Sequence, residues 1–201
     1  MLKYLAAALV VIPFAPALAQ IGNPANLSPD TRLEAPGTPA PHQTNNTDRL
    51  FAQLAAAGGL AEVELSQLAN TRASNTGVKN FARMMIDDHS DANARLKKLA
   101  EAAKIPLPEV LDPDHSAVKR KLETADGETF DVAYMRAQII DHQKTTQLLT
   151  WEIGSGQDVQ MQRYASMNLP KVMKHLRLAQ NIAAELTGQA SREISSLTGS
   201  K

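Results

Sequence analysis

Apolar residues recur three and four positions apart through four stretches of this chain, each about 25 residues long. That period is one face of an α-helix, at about 3.6 residues per turn. The first stretch runs from the cap Thr47 to Thr71, with Phe51, Ala55, Gly58, Leu65 and Ala69 on its stripe. The second runs from Val78 to Ala103 through Phe81, Met85, Ala92, Leu96, Leu99 and Ala103, and Pro106 and Pro108 close it. The third spans Glu128 to Ile153, with Phe130, Tyr134, Ala137, Leu148 and Trp151 apolar. The fourth spans Asp158 to Thr187 through Ala165, Leu169, Val172, Leu176, Ala179, Ala183 and Leu186, and Pro170 within it predicts a kink. No alternating apolar–polar run supports a strand. Asn75-Thr76-Gly77 and Gly154-Ser155-Gly156 are short turns, whereas 104–127 is a long connection with room for a short helix from Ser116 to Thr124. Two short turns and one long connection predict an all-α, up-down-up-down four-helix bundle with the long connection between helices 2 and 3. Gly58-Gly59 inside the first stretch weakens it as a helix, so a close approach of another helix is expected there.

The two ends read differently. Residues 1–19 form a signal peptide: Lys3 is its basic start, Leu5 to Ala15 its apolar run, and Ala17-Leu18-Ala19 a small-x-small cleavage site. The cut falls between Ala19 and Gln20. The apolar run is shorter than the roughly 20 residues a membrane helix needs and holds Pro13 and Pro16, so no transmembrane segment is expected after cleavage. Residues 20–46 read as a disordered Pro-rich linker. The bundle is then 47–187, with Gly188 as its stop and 188–201 a flexible tail. An exported protein of the periplasm or extracellular space follows. The full chain holds 21 basic and 21 acidic residues, and losing Lys3 leaves it slightly acidic. That balance argues against a nucleic-acid binder. The absence of cysteine rules out a lipoprotein anchor, a disulfide framework, a thiol nucleophile and cysteine-ligated zinc.

Three titratable residues interrupt the apolar rows: Glu62, His89 and His142. Glu64, Asp88, Asp141 and His175 lie near those rows. Burying such groups is unfavourable unless they are paired or hold a metal. The string Ile86-x-Asp88-His89 with Leu96 recurs as Ile139-x-Asp141-His142 with Leu149, which suggests histidines facing each other across a pseudo-twofold. A helix rise of about 1.5 Å per residue puts Glu62, His89 and His142 roughly 18–21 Å from the end holding both short turns, and His175 roughly 27–29 Å.

These residues support three readings. Glu62, His89 and His142, with His175 or an Asp as a further ligand, suit one zinc, iron, copper or manganese ion. Glu64, Asp88 and Asp141 would then orient the ligands or fix helix register. Alternatively, the Glu/His layer holds no cofactor and selects one packing arrangement. The third reading is an envelope interaction module that self-associates or docks on a partner. No catalytic residue is assigned, since the chain has neither a glycine-rich phosphate loop nor a Gly-x-Ser-x-Gly elbow. Glu62 and Glu64, two apart on a helix, point in different directions and cannot act as a glycosidase pair. Met84-Met85, Met161, Met167 and Met173 read as core filling.

The segments Gly59-Leu60-Ala61-Glu62-Val63-Glu64-Leu65, Met85-Ile86-Asp87-Asp88-His89, Ala133-Tyr134-Met135 with Asp141-His142, and Leu169-Pro170 with His175-Leu176 resemble the domain of unknown function 4142 family over about residues 47–187. The resemblance implies a ferritin-like four-helix bundle and an exported bacterial protein, of a kind often called an outer membrane protein. It implies no established activity. Ferritin-like di-iron sites use two Glu-x-x-His strings. This chain has none, and its nearest string, Asp112-Pro113-Asp114-His115, begins with Asp. The resemblance therefore carries fold, but not iron oxidation or oxygen chemistry.

Overall fold

The computed structural model describes the backbone of residues 44–198 and the side chains of 44–188. The signal peptide and nearly all of the linker read from the sequence lie outside these residues. Five helices and no strand make up the described chain: α1 Asn46–Arg72, α2 Thr76–Ala102, α3 Pro113–Glu123, α4 Gly127–Ser155 and α5 Val159–Thr198. The four long helices touch chiefly in the cyclic order α1, α2, α5, α4, while the short α3 lies against α4 and α1. None is long and apolar enough to cross a membrane.

Local chemistry sets the ends. The cap of α1 lies two residues before Thr47: it is Asn45, and the helix begins at Asn46. The Asn45 side chain accepts from the Asp48 N–H while the Asp48 carboxylate accepts from the Asn45 N–H, a reciprocal capping box. Asn75 caps α2 by accepting the Gly77 and Val78 N–H groups, and Asp112 caps α3 by accepting those of Asp114 and His115, with Pro113 as the first helical residue. α5 passes through both Pro170 and Gly188 to Thr198, so Gly188 does not end it. A lone helical glycine costs only about 1 kcal/mol, which neighbouring turns can offset.

The core falls into two apolar clusters. One centres on Leu65, Phe81, Met85, Phe130, Tyr134 and Met135, the other on Phe51, Leu96, Leu149, Met161 and Ala165. Gly59 rather than Gly58 makes the close approach. A Cβ at Gly59 would fall 2.0 Å from the Asn93 side-chain oxygen, whereas one at Gly58 would meet nothing. Met85 and Met161 fill the core as expected, but Met167 and Met173 are 60% and 47% exposed and do not.

Two buried carboxylates fasten the turns. Asp131 on α4 accepts the backbone N–H groups of Ser74 and Asn75 and the Ser74 hydroxyl, all in the α1–α2 turn. Asp48 on α1 accepts the N–H groups of Gln157 and Asp158 in the α4–α5 turn, at 2.9 and 3.0 Å. The same number of residues separates Asp48 from Asp131, Ser74 from Gln157, and Asn75 from Asp158. Each helix pair thus receives the turn of the other, so the two short turns lie at opposite ends. The connection through α3 carries the chain back along the bundle, and the four long helices run up-down-down-up, not up-down-up-down with both short turns at one end.

Glu152 is fully buried beside Asp48 and Gly156. Burial, with the Asp48 carboxylate adding to it, pushes its carboxyl up to about 9. An acid protonated in the folded state but free to ionise when unfolded stabilises fully below its ordinary value, near 4.5, and loses that contribution as pH rises to about 9. The melting temperature should therefore decline over this range, and Glu152→Gln should flatten the decline. Parallel profiles for the two proteins would show that Glu152 does not titrate this way.

Candidate metal centre

His89 on α2, His142 on α4 and His175 on α5 meet between the helices, with ring centroids 5.5 to 5.7 Å apart. Each offers a ring nitrogen within 4.8 Å of the other two, and all three residues are buried. His142 donates from Nδ1 to the carbonyl of Gln138, one turn back on its own helix, at 2.9 Å. His175 donates from Nε2 to the Asp88 carboxylate at 2.9 Å. That leaves His142 Nε2 and His175 Nδ1 as lone-pair atoms. Together with His89 Nε2, they are buried and have no hydrogen-bond partner among the described residues.

The sequence-derived residues separate into those that meet here and those that do not. Glu62 is buried, but its carboxylate lies 3.4 Å from His142 Nδ1, the edge turned away from the unpartnered Nε2. His175 takes the place that the depth count gave to Glu62. Helical side chains lean towards the N-terminus of their helix. On α4 this carries the His142 ring away from the α4–α5 turn, and on α5 it carries the His175 ring towards that turn. The two levels converge.

Of the flanking carboxylates, Asp88 reaches His175 and Lys171, Glu64 pairs with Lys119 at 2.8 Å, and Asp141 faces Lys144 and His115 at 3.7 Å each. An open groove of about 430 Å³ runs along α3 past Glu64, Lys119 and Arg120, and none of the histidines lines it.

The sequence profile of a domain of unknown function, DUF4142, matches residues 33–182. The chain belongs to the DUF4142 family. No curated protein matches it. Two solved structures share the fold. One is a fragment of a DUF305 protein from Deinococcus radiodurans, 14% identical with a TM-score of 0.64, covering 71% of this chain and 99% of its own. The other is a DUF305 protein of Streptomyces coelicolor, named as a candidate secreted protein. It is 16% identical with a TM-score of 0.61, covering 70% of this chain and 94% of its own. At these identities the likeness concerns fold alone.

In this DUF4142 protein the three histidines are poised as neutral ligands. Burial pulls His89 down to about 3, and its histidine neighbours add to the effect. Burial likewise pulls His142 down to about 4, with His175 adding. His175 is also lowered by burial, against the opposing pull of Asp88. Protons therefore do not compete for the three lone pairs at neutral pH. Glu62 is held the other way: burial, then the charge of Asp141, pushes its carboxyl up to about 8. At pH 7 it is mostly a neutral acid beside the cluster.

His115, passed over in the sequence because it lay in the connection, is held between two carboxylates. Its Nδ1 pairs with Asp112 and its Nε2 faces Asp141. Burial works against its charge, yet the bonds to Asp141 and Asp112 push it up to about 9. A histidine raised in the folded state stabilises fully below its ordinary value near 6.5 and loses this contribution as pH rises through about 9. We expect His115→Asn to lower the melting point at pH 6 and to have little effect at pH 10. An equal effect at both would refute a charged His115.

Proposed function

We propose that this protein is an exported four-helix bundle that binds one transition-metal ion through His89 Nε2, His142 Nε2 and His175 Nδ1. One observation carries the reading: three buried histidines each offer a ring nitrogen within 4.8 Å of the other two, and one nitrogen of each ring has no hydrogen-bond partner among the described residues. A buried acceptor left without a partner costs about 1–3 kcal/mol, and three such atoms converging in one place are accounted for together by a cation. Bonds of about 2.0–2.1 Å would bring the nitrogens to about 3.3–3.5 Å apart, so the rings close inward slightly on loading. Imidazole nitrogen suits zinc, copper, iron and nickel, while manganese favours oxygen. With Glu62 on the far edge of His142, the donors are nitrogen alone, and zinc and copper(II) stand highest in preference. A three-histidine set leaves a coordination position open, as catalytic zinc sites do. No reaction is assigned to it. The arrangement has one metal and no Glu-x-x-His pair, so it is not a di-iron centre.

Export is supported by the sequence of residues 1–19 and is in keeping with the candidate secreted relative of the same fold. Calorimetric titration of metal-free protein with Zn²⁺ and with Cu²⁺ tests the site. One equivalent should bind the native protein and none the His142→Ala variant. A native protein that takes up neither ion sinks the reading.

A second reading rests on the links between helices. Ser66 and Tyr134 share a hydrogen bond at 2.8 Å between α1 and α4, Glu62 touches His142, and Asp88 joins His175. In this reading the polar layer fixes helix register and self-association or an envelope partner supplies the function. It predicts that His89→Leu and His142→Leu keep the fold and change stability only modestly.

A further inference from the structure

The Ile-x-Asp-His string occurs on α2 and on α4, but its two aspartates serve different partners. On both helices the histidine faces the core and the preceding aspartate stands on the flank. Asp141 turns towards α3 and meets His115. Asp88 turns towards α5 and takes one donor on each oxygen: Lys171 Nζ on Oδ1 at 2.8 Å and His175 Nε2 on Oδ2 at 2.9 Å. Lys171 and His175 stand one helical turn apart, so a single carboxylate grips α5 at two points.

This grip decides which nitrogen His175 can offer. A neutral imidazole carries one proton, and the nitrogen that holds it cannot bind a metal. His142 settles the choice within its own helix, through the Gln138 carbonyl. His175 settles it across the helix interface. Asp88 accepts the proton on Nε2, and Nδ1 is thereby left bare towards His89 and His142. Carboxylate partners of this kind orient the ring and raise its basicity, and their loss commonly weakens metal affinity about 10- to 100-fold.

We propose that Asp88, anchored by Lys171, is the positioning residue of the centre: it locks His175 in the Nε2–H form and so completes the three-nitrogen set. This rests on the metal reading above, but its test begins without metal. In metal-free protein carrying ¹⁵N-histidine, long-range proton–nitrogen spectra should show Nε2–H at His175 and Nδ1–H at His142. Asp88→Ala should turn the His175 signals into a mixture of the two forms, leave His142 unchanged, and weaken Zn²⁺ binding about 10- to 100-fold. Asp88→Asn, which keeps an accepting oxygen, should restore much of the Nε2–H form and of the affinity. Far-UV circular dichroism checks that both variants fold. Asp88 is partly exposed, so removing its side chain opens no core cavity.

The outcomes separate the two claims. If His175 carries its proton on Nδ1 in the native protein, or if Asp88→Ala changes neither the proton position nor the affinity, the positioning role is overturned while zinc binding stands. Expected proton positions in a native protein that takes up no zinc support Asp88 as the lock and overturn the metal reading instead.

Discussion

Saturating Zn²⁺ raises the melting temperature of the metal-free protein by roughly 8–16 °C, and His142→Ala removes the rise. A ligand that binds only the folded state stabilises it by about 4 kcal/mol when its free concentration is about 1,000 times its dissociation constant. For a chain of this size about 1 kcal/mol moves the midpoint by about 2–4 °C. The site supports such selectivity. Its three histidines come from α2, α4 and α5 and meet only after the helices pack. Burial also keeps the His89 and His142 rings uncharged at neutral pH. The unfolded chain has neither advantage. Glu62→Gln is the informative control, because Glu62 lies against the far edge of His142. It should leave one equivalent of zinc bound. A melting point indifferent to zinc and copper(II) in the native protein would remove the proposed centre.

The second large effect belongs to a residue with no part in metal binding. Asp131→Ala should cost about 3–5 kcal/mol. Hydrogen bonds to a charged acceptor contribute about 1.5–3 kcal/mol each, with incomplete additivity. Asp131 accepts from two backbone amides and a hydroxyl, and it is 1% exposed. Truncation would leave the Ser74 and Asn75 amides without their acceptor at the start of α2. Asp131→Asn keeps the shape and one accepting oxygen and should cost less. Urea denaturation measures both. A loss below about 1 kcal/mol for the alanine variant would mean that water takes over the acceptor role at this turn.

Helical periodicity made the four long helices legible, because four stripes of three-and-four spacing admit little else. Ends were less legible. Thr47 and Asn45 are both good caps, and only the Asp48 carboxylate closing back on Asn45 separates them. Gly188 has the look of a stop, but the sequence cannot show whether the following turns continue a helix. At the site, the histidines stood out as polar residues in apolar rows. The membership of the set did not, because a count of axial rise omits the lean of side chains along the helix. That omission, with the assumption that both short turns share one end, set His175 deeper than the other histidines, as a further ligand only, and put Glu62 level with them. Asp48, Asp131 and Glu152 were missed altogether. Acidic residues in the first turns of a helix, as Asp48 and Asp131 are, usually serve the local helix dipole in water, and nothing in the spacing of these two or of Glu152 tells that they are sealed against a turn. The signal that could have found Asp48 and Asp131 is their equal offset with the two turns they hold, which becomes visible only once the turns are paired with carboxylates on the opposite helices.

That reciprocity bears on how the molecule comes together. Taken by itself, the α1–α2 pair has a turn whose amides lack their acceptor and a buried carboxylate that lacks its donors, and the α4–α5 pair has the same two deficits. Each half is the missing piece of the other, like two hands that can close only around one another. Neither half is then a stable stopping place on the way to the fold, and loosening one turn releases a bond that the opposite half depends on. The bundle should form and come apart as one unit, even though its two helix pairs are separate stretches of chain joined by one long connection.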